Sequence, residues 1–345
     1  MEEVVAIIKK INVLNKRLAT IDTSSLGLSY GKTGISSYFY LKSRFTGNKE
    51  YEHIAGKMIE DVISNIESLK QYDIINGLAG VGLSIDFLID QKFVKGDSNR
   101  ILSDIDEELF KQLSYSSYSD KLGFSVQLQI LYYFIIRLRK QKSGSEYEWL
   151  FKELVIRTIN SLSEKVIFDI YDEPLTFSVD YLLPQYLFVL SRCLDLYRDK
   201  IGHIIRELSI FLLSKLPLLH SNRLYLLWAI STLNKHIDMK DLKSHCSLLY
   251  RELDMTKIMN EEILSRNIYF SDGFPAIYLL IHNLSDYFSQ NEIEQYKLAI
   301  IEKIIQSPEW EYLFENDNYF KMNKGLFNGY CGTSLLLHYH ERGFM

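Results

Sequence analysis

The sequence predicts an all-α protein, an α/α toroid with about seven inner and seven outer helices. Only five prolines occur in 345 residues, and segments rich in Leu, Ile, Lys and Glu dominate, which favours helices. Short turns, several of the form G-x-x-G, recur at intervals of about 41 to 58 residues. Such an interval accommodates a pair of helices with their loops. The helix after each turn is apolar, and the helix before the next turn is amphipathic.

The turns run along the whole chain, and two copies are better preserved than the rest. Gly77 and Gly80 open one apolar run, and Gly329 and Gly332 open the last one. The seven turns are centred near residues 29, 75, 122, 180, 221, 271 and 327. After the fourth turn we expect an inner helix over 186–196 and an outer helix over 199–216. After a fifth turn at 220–223 we expect an inner helix over 224–233.

The contrast between the two kinds of helix indicates how they are arranged. Helices that are apolar all round are buried, and one-sided helices lie outside them. This contrast, with a turn that restarts each inner helix, favours a closed ring over an open solenoid. No linker rich in Gly, Pro or Ser interrupts the chain, so we expect a single domain over residues 1–345.

Composition excludes several classes of protein. The net charge of −5 and the pI near 6.0 argue against nucleic-acid binding. Three cysteines far apart in the sequence form neither a disulfide framework nor a metal clip, which fits a reducing compartment and predicts a cytoplasmic protein. The acidic start of the chain is unlike a signal peptide, and the absence of an uncharged run of about 18 residues predicts no membrane span.

The repeated turns resemble those of the lanthionine synthetase C-like family. The segments Gly-Leu-Ala-Gly-Val-Gly at 77–82 and Gly-Leu-Phe-Asn-Gly-Tyr-Cys-Gly-Thr at 325–333 match its repeat best, and the resemblance covers residues 26–340. The family's cyclases add a cysteine thiol of a precursor peptide to a dehydrated serine or threonine. A zinc ion lowers the pKa of that thiol. The resemblance therefore implies a precursor peptide or a partner modification enzyme as binding partner.

The resemblance also implies where zinc would be bound, and this chain departs from the family there. The family's ligands are a cysteine in the fifth turn and a Cys-His pair in the sixth, with one position left for the substrate sulfur. Alignment of the turns places Ser221 at the first position, and Ser271 and Asp272 at the others. His220 and Asp272 together are too few ligands, so we expect no metal and no cofactor. The alternative role of these polar residues is to cap helices.

Two further positions correspond to residues of the family proposed for acid–base chemistry. Its aspartate in the third turn corresponds to Asp120, and its histidine in the fourth turn corresponds to Tyr181. A capping role is again the alternative for Asp120. Cys331 lies within the seventh turn, where it is either a thiol with a lowered pKa near a helix start or a small buried packing residue.

Three functional hypotheses follow. The first is a divergent, zinc-free member of the family that acts in lantibiotic-type peptide modification by binding a precursor peptide or partner enzyme. The second is an active thioether cyclase with an altered metal site. The third is a carbohydrate-active α/α toroid enzyme, which needs a pair of carboxylates roughly 5 to 10 Å apart. Its candidates are the carboxylates at or beside turns: Asp73, Asp120, Asp180 and Asp272.

Overall fold

The computed structural model describes residues 2–21, 23–165 and 168–343, and within these ranges every regular element is a helix. The chain divides into two compact units, each described by itself below. Unit 1 consists of residues 1–154 and 307–345, and unit 2 consists of residues 155–306. The helix Glu146–Glu164 contributes its first part to unit 1 and its remainder to unit 2. Among the described helices, none combines the length and the apolar character needed to cross a membrane.

Unit 1 is built from both ends of the chain. Its helices are α1 (Glu2–Thr20), α2 (Lys32–Thr46), α3 (Lys49–Ser64), α4 (Leu78–Asp90), α5 (Ser98–Ile101), α6 (Ser103–Ser114), α7 (Ser116–Ser119), α8 (Phe124–Leu138), the first part of α9 (Glu146–Glu164), α16 (Glu309–Glu315), α17 (Asp317–Met322) and α18 (Tyr330–Gly343). A 3-10 turn, Ile66–Ser68, follows α3. Helix α2 packs against α18 and α4, and α4 packs against α8. Helices that follow consecutive turns are therefore neighbours.

Four of the turns share one hydrogen-bonding pattern at the start of the following helix. The first backbone N–H of the helix donates to the carbonyl oxygen seven residues earlier, and the glycine at the helix start is extended. The bonds are Lys32 to Ser25 (2.9 Å), Leu78 to Gln71 (2.9 Å) and Tyr330 to Asn323 (3.0 Å) in unit 1, and Phe274 to Asn267 (3.0 Å) in unit 2. The chain before the helix thus satisfies N–H groups that lack a partner within the helix.

The second glycine of a G-x-x-G turn is needed because the backbone passes very close to it. A Cβ atom at Gly80 would overlap the carbonyl oxygen of Ile74, and one at Gly34 would overlap that of Leu28. The φ angle is not the constraint, since neither glycine has a positive φ. The motif lets each turn fold tightly against the start of its own helix.

Unit 2 contains the remainder of α9 and six further helices. These are α10 (Leu182–Ser214), α11 (His220–Asn234), α12 (Lys240–Arg251), α13 (Met255–Lys257), α14 (Phe274–His282) and α15 (Gln290–Ile305). A 3-10 turn, Phe168–Tyr171, precedes α10, and a π-helical turn, Ile258–Glu262, follows α13. Helix α11 packs against α10, α12, α14 and the π-helical turn. It is therefore the central helix of this unit.

Each of the seven predicted turns is followed by a helix, but one detail of the prediction is wrong. The helices expected over 186–196 and 199–216 correspond to the two segments of α10, which a kink with non-helical angles at Tyr197 (φ −143°, ψ 48°) separates. Residues 220–223, in contrast, form the first turn of α11 rather than a loop before it. This difference matters because it places Ser221 within a helix start, where its backbone N–H needs an outside acceptor.

Candidate functional site

The predicted site residues fall in both units. Asp120 lies in unit 1, whereas the other residues lie in unit 2: Tyr181, His220, Ser221, Ser271 and Asp272. Within unit 2 they occupy the starts of α10 and α11 and the turn before α14. Unit 2 is therefore where the positions implied by the family's metal site can be compared with one another.

The start of α11 is held by the carboxylate of Glu262, the last residue of the π-helical turn. One carboxylate oxygen accepts from the backbone N–H of His220 at 2.7 Å. The other accepts from both the N–H and the hydroxyl of Ser221, at 2.7 and 2.6 Å. Ser221 is completely buried. An anionic acceptor suits a helix N-terminus because the helix dipole is positive there.

A second carboxylate, that of Glu173, holds the residues just before α11. Glu173 accepts from the N–H groups of Leu218 and Leu219 at 2.7 and 2.9 Å, and from the side-chain amide of Asn222 at 3.1 Å. Four successive N–H groups, at residues 218 to 221, therefore bond to two carboxylates. The sequence analysis missed both glutamates, since neither lies in a turn motif and each is more than 40 residues from its partner.

The imidazole of His220 also takes part in hydrogen bonds at the start of α11. Its Nδ1 accepts from the backbone N–H of Asp254 at 3.0 Å and from the guanidinium of Arg223 at 3.3 Å. A neutral imidazole that accepts at Nδ1 carries its proton on Nε2. Neither nitrogen of this tautomer offers a lone pair to a metal ion.

The sixth turn joins the fourth through the backbone. The carbonyl oxygen of Ser271 accepts from the N–H of Val179 at 2.9 Å. The hydroxyl of Ser271 donates to the carboxylate of Asp272 at 3.0 Å, and the side chain of Asn267 donates to the carbonyl oxygen of Asp272 at 3.3 Å. These bonds place Ser271 and Asp272 beside the fourth turn.

Tyr181 occupies the N-cap position of α10, where its side chain makes no capping bond. The residue is only 2% exposed, and its buried hydroxyl has no hydrogen-bond partner. Burial, with the nearby carboxylates of Glu173 and Asp172, raises the pKa of the Tyr181 phenol far above its ordinary value. A phenol that stays protonated can give or receive a hydrogen bond, but it is not a base near neutral pH.

Asp120 is an exposed residue that directly follows the short helix α7. Its backbone N–H donates to the carbonyl oxygen of Ser116 at 3.0 Å. Helix α8 begins at Phe124 with Gly123 at its N-cap and no side-chain capping bond. Asp120 is therefore not the N-cap residue of α8, and its capping role stays a prediction.

The thiols of the chain are buried within helices. Cys193 lies in α10, Cys246 lies in α12, and Cys331 lies in the first turn of α18. The Cys331 thiol donates to the carbonyl oxygen of Lys324 at 2.8 Å. Burial raises its pKa well above the ordinary value, although Lys42 and Lys324 oppose the change. The hypothesis of a thiol with a lowered pKa is wrong for Cys331.

The donors at the positions implied for zinc do not suit that ion. The hydroxyl of Ser221 donates to Glu262. The imidazole of His220 is not available as a zinc ligand, because its Nδ1 accepts a hydrogen bond from the N–H of Asp254. Structural and catalytic zinc sites use thiolate, imidazole or carboxylate ligands, usually three or four of them. Among residues 2–21, 23–165 and 168–343, no group of three or more His, Cys, Asp and Glu side chains is placed to hold a metal ion.

Comparisons with known proteins agree with the architecture. The lanthionine synthetase C-like protein family matches residues 3–171. The solved structure of nisin cyclase matches with a TM-score of 0.66 at 12% sequence identity, over 99% of this chain and 95% of the cyclase. No curated protein sequence matches the chain at a significant level. The predicted fold class, an all-α α/α toroid, is confirmed by the structural match. The chain is therefore similar to the lanthionine synthetase C-like family over residues 3–171, and it shares its fold with nisin cyclase.

Proposed function

We propose that this protein is a divergent, zinc-free member of its family that acts in ribosomal peptide modification by binding a precursor peptide or a partner modification enzyme. The family match and the likeness to nisin cyclase support the peptide-modifying context. Three free, buried cysteines are consistent with the cytoplasm as its compartment. Binding, rather than ring closure, is the activity proposed for the chain.

One observation carries the proposal. The side chain at the position of the family's fifth-turn ligand is the serine hydroxyl of Ser221, and it donates at 2.6 Å to Glu262. A hydroxyl that donates this hydrogen bond is not available to a metal ion. The Glu262 carboxylate already accepts three hydrogen bonds, and binding a metal ion would break them. Without a metal, the acceleration that comes from lowering the pKa of a substrate thiol is lost.

Zinc content and ring formation test the proposal together. The purified chain is incubated with excess zinc, desalted and assayed for bound metal by plasma mass spectrometry. It is then mixed with a synthetic peptide that carries one cysteine and one dehydroalanine, and thiol loss is followed by alkylation and mass spectrometry. We expect zinc far below one ion per chain, a thioether rate equal to that in buffer, and saturable binding of the peptide by fluorescence anisotropy.

A reconstructed ligand set is the matched comparison. The triple variant Ser221→Cys, Ser271→Cys and Asp272→His restores the residue types that the resemblance assigns to zinc. We expect it to retain about one zinc ion per chain, since thiolate and imidazole ligands bind zinc tightly. Stoichiometric zinc and ring closure by the unaltered chain would establish the altered-cyclase alternative. Failure to bind the peptide would remove the proposed role in substrate binding.

A further inference from the structure

An exposed apolar surface lies on unit 2 beside the start of α11. Its most exposed members are Leu175, with 95% of its surface accessible, and Leu218, with 86%. Three more large apolar side chains of the same part of the chain are exposed: Ile210, Phe211 and Leu216. Single exposed apolar residues are ordinary, but a contiguous group of this kind marks an interaction site.

Contacts within unit 2 bring these residues together. The ring of Tyr171 lies 5.7 Å from that of Phe211, centroid to centroid. Two residues later, Glu173 accepts from the backbone N–H of Leu218 at 2.7 Å. The segment that carries Leu175 therefore runs between the end of α10 and the residue before α11. We call this group the turn-four surface: Tyr171, Asp172, Leu175, Phe211 and Leu218.

The same segment is acidic. Residues 171–181 include Asp172, Glu173 and Asp180 and contain no Lys or Arg. Asp172 and Asp180 are exposed. The backbone bond from Val179 to Ser271 brings the neighbouring residue Asp272 close to this segment. Negative charge thus borders the apolar side chains on the side of residues 171–181, whereas beside Leu218 the guanidinium of Arg223 donates to the carbonyl oxygen of Pro217 at 2.8 Å.

Two buried tyrosine hydroxyls of this segment lack hydrogen-bond partners. They belong to Tyr171 and Tyr181, and the latter is within electrostatic reach of Asp172 and Glu173. A buried hydroxyl without a partner is costly and calls for a group that is missing from the free protein. Residues 172–174 have no regular secondary structure, so the backbone beside these hydroxyls is not held in a helix.

We propose that the turn-four surface is a docking site for a peptide segment in which a basic side chain stands next to large aliphatic ones. The aliphatic side chains pack on Leu175, Phe211 and Leu218, and the basic group faces Asp172 and Asp180. A polar group of the peptide supplies the partner that the Tyr181 hydroxyl lacks. This inference rests on the proposed function, since it specifies the peptide chemistry that the chain selects.

Charge distinguishes this occupant from a second copy of the chain. In a two-fold symmetric dimer the same surface is used by both copies, so Asp172 and Asp180 of both copies would be brought into one interface. Like charges brought together in an interface are costly, whereas a basic peptide is attracted to the same groups. The net charge of −5 also opposes self-association, because two copies of the chain repel each other.

The test uses three short fluorescein-labelled peptides that differ at one position: Leu-Lys-Leu, Leu-Gln-Leu and Leu-Glu-Leu in a common Gly-Ser context. Anisotropy titrations with the intact chain are expected to give affinities in the order Lys, Gln, Glu, with at least about tenfold between the first and the last. The advantage of the Lys peptide should shrink as salt is raised, because exposed charges are screened.

Paired variants locate the binding. Leu175→Ser with Leu218→Ser is expected to weaken the Lys peptide by at least about fivefold. The control, Leu264→Ser with Leu298→Ser, removes two other exposed leucines of unit 2 and should leave the affinity unchanged. Asp172→Asn with Asp180→Asn should abolish the preference for Lys over Glu. Tyr181→Phe should lower affinity without lowering thermal stability, because the hydroxyl has no partner in the part of the chain that the structure describes.

The possible failures point to different conclusions. If the three peptides bind equally well, or if the Leu175/Leu218 variant binds like its control, the docking site is refuted while peptide binding itself stands. If no peptide binds, both this inference and the proposed function fail. If sedimentation shows that the chain dimerises and that the Leu175/Leu218 variant is monomeric, the surface is a self-association interface and the proposal is overturned.

Discussion

Helices α4 and α11 both follow a turn of the repeat, but they begin in different ways. At α4 the N–H groups of Leu78, Ala79 and Gly80 donate to carbonyl oxygens of residues 71, 72 and 73, so the preceding segment satisfies the helix start. At α11 the N–H groups of His220 and Ser221 donate to Glu262, which lies 42 and 41 residues away. Glu173 accepts from the N–H groups of the two residues just before the helix. One start is capped locally by backbone, and the other is capped by distant carboxylates.

The difference separates two ways of satisfying a helix start in this repeat. A backbone cap requires glycine and no particular side chain, so its sequence is recognisable. The start of α11 contains no glycine, and its polar groups are bonded to carboxylates. The family resemblance assigns a metal ligand to this second place, yet Ser221 and Glu262 form a closed arrangement there. The neighbouring fourth turn, in contrast, retains buried hydroxyls without partners.

The largest effect is expected where the backbone cap leaves no space. Gly80→Ala should lower the free energy of unfolding by about 3 kcal/mol, because the new methyl group overlaps the carbonyl oxygen of Ile74 and the backbone must shift. Gly56→Ala in the middle of α3 is the control, since its methyl group would meet only the Tyr40 hydroxyl oxygen at 3.7 Å. Gly56→Ala should stabilise by roughly 0.5–1 kcal/mol. Urea unfolding measures both, and effects of the same sign would contradict the role given to Gly80.

A smaller loss is expected at the carboxylate cap. Glu262→Ala removes the acceptor of two backbone N–H groups and of the buried Ser221 hydroxyl, which should cost about 2 kcal/mol. Glu262→Gln keeps one acceptor oxygen and should cost about half as much. Asp73→Ala is the comparison at α4, where the carboxylate accepts only from Asn76 within the turn and the helix N–H groups bond to backbone. If Asp73→Ala destabilises more than Glu262→Ala in urea unfolding, the contrast between the two caps does not hold.

The sequence predicts the repeat because its determinants are local. Glycines such as Gly77 and Gly80 and the apolar run after them lie within a few residues of each other, so the start of each inner helix could be recognised. The kink within α10 could also be predicted, since the non-helical angles at Tyr197 coincide with the boundary between an apolar and a polar segment. The start of α11 at His220 could not be predicted in this way, because no glycine marks it.

The contacts around the candidate site could not be predicted from the sequence, for a physical reason. The family's ligand positions map onto Ser221, Ser271 and Asp272 by counting turns. The groups that determine what Ser221 can do are Glu262 and its neighbours, which approach only after folding. Glu262 follows Glu261 in a charged stretch that is typical of a solvated surface, and no periodic signal marks it as a partner of α11. The missing partner of the Tyr181 hydroxyl is likewise a property of packing rather than of sequence.

The smallest effect on stability is expected at the fourth turn, where the charge of Asp180 destabilises the folded state. Loss of hydration around the carboxyl group raises the pKa of Asp180 above its ordinary value. The unfolded chain therefore releases this proton at a lower pH than the folded chain, and the folded state loses stability as the pH rises through the folded pKa. Above that pH, Asp180→Asn should stabilise the chain, by only about 0.3 kcal/mol because the residue is exposed and screened by solvent.

Thermal unfolding of this variant and the unaltered chain between pH 3 and pH 7 measures the difference, which should vanish below about pH 3.9, where the unfolded carboxyl is also protonated. At α4, Asp73→Asn should show no such gain, since the carboxylate is used by the N–H of Asn76 at 2.6 Å. If a charged side chain stabilises its own turn, removing the charge lowers the stability of the protein. If the charge binds a ligand instead, removing it raises stability and weakens binding. Measuring the melting temperature of Asp180→Asn and its affinity for the Lys peptide on the same sample distinguishes these two cases.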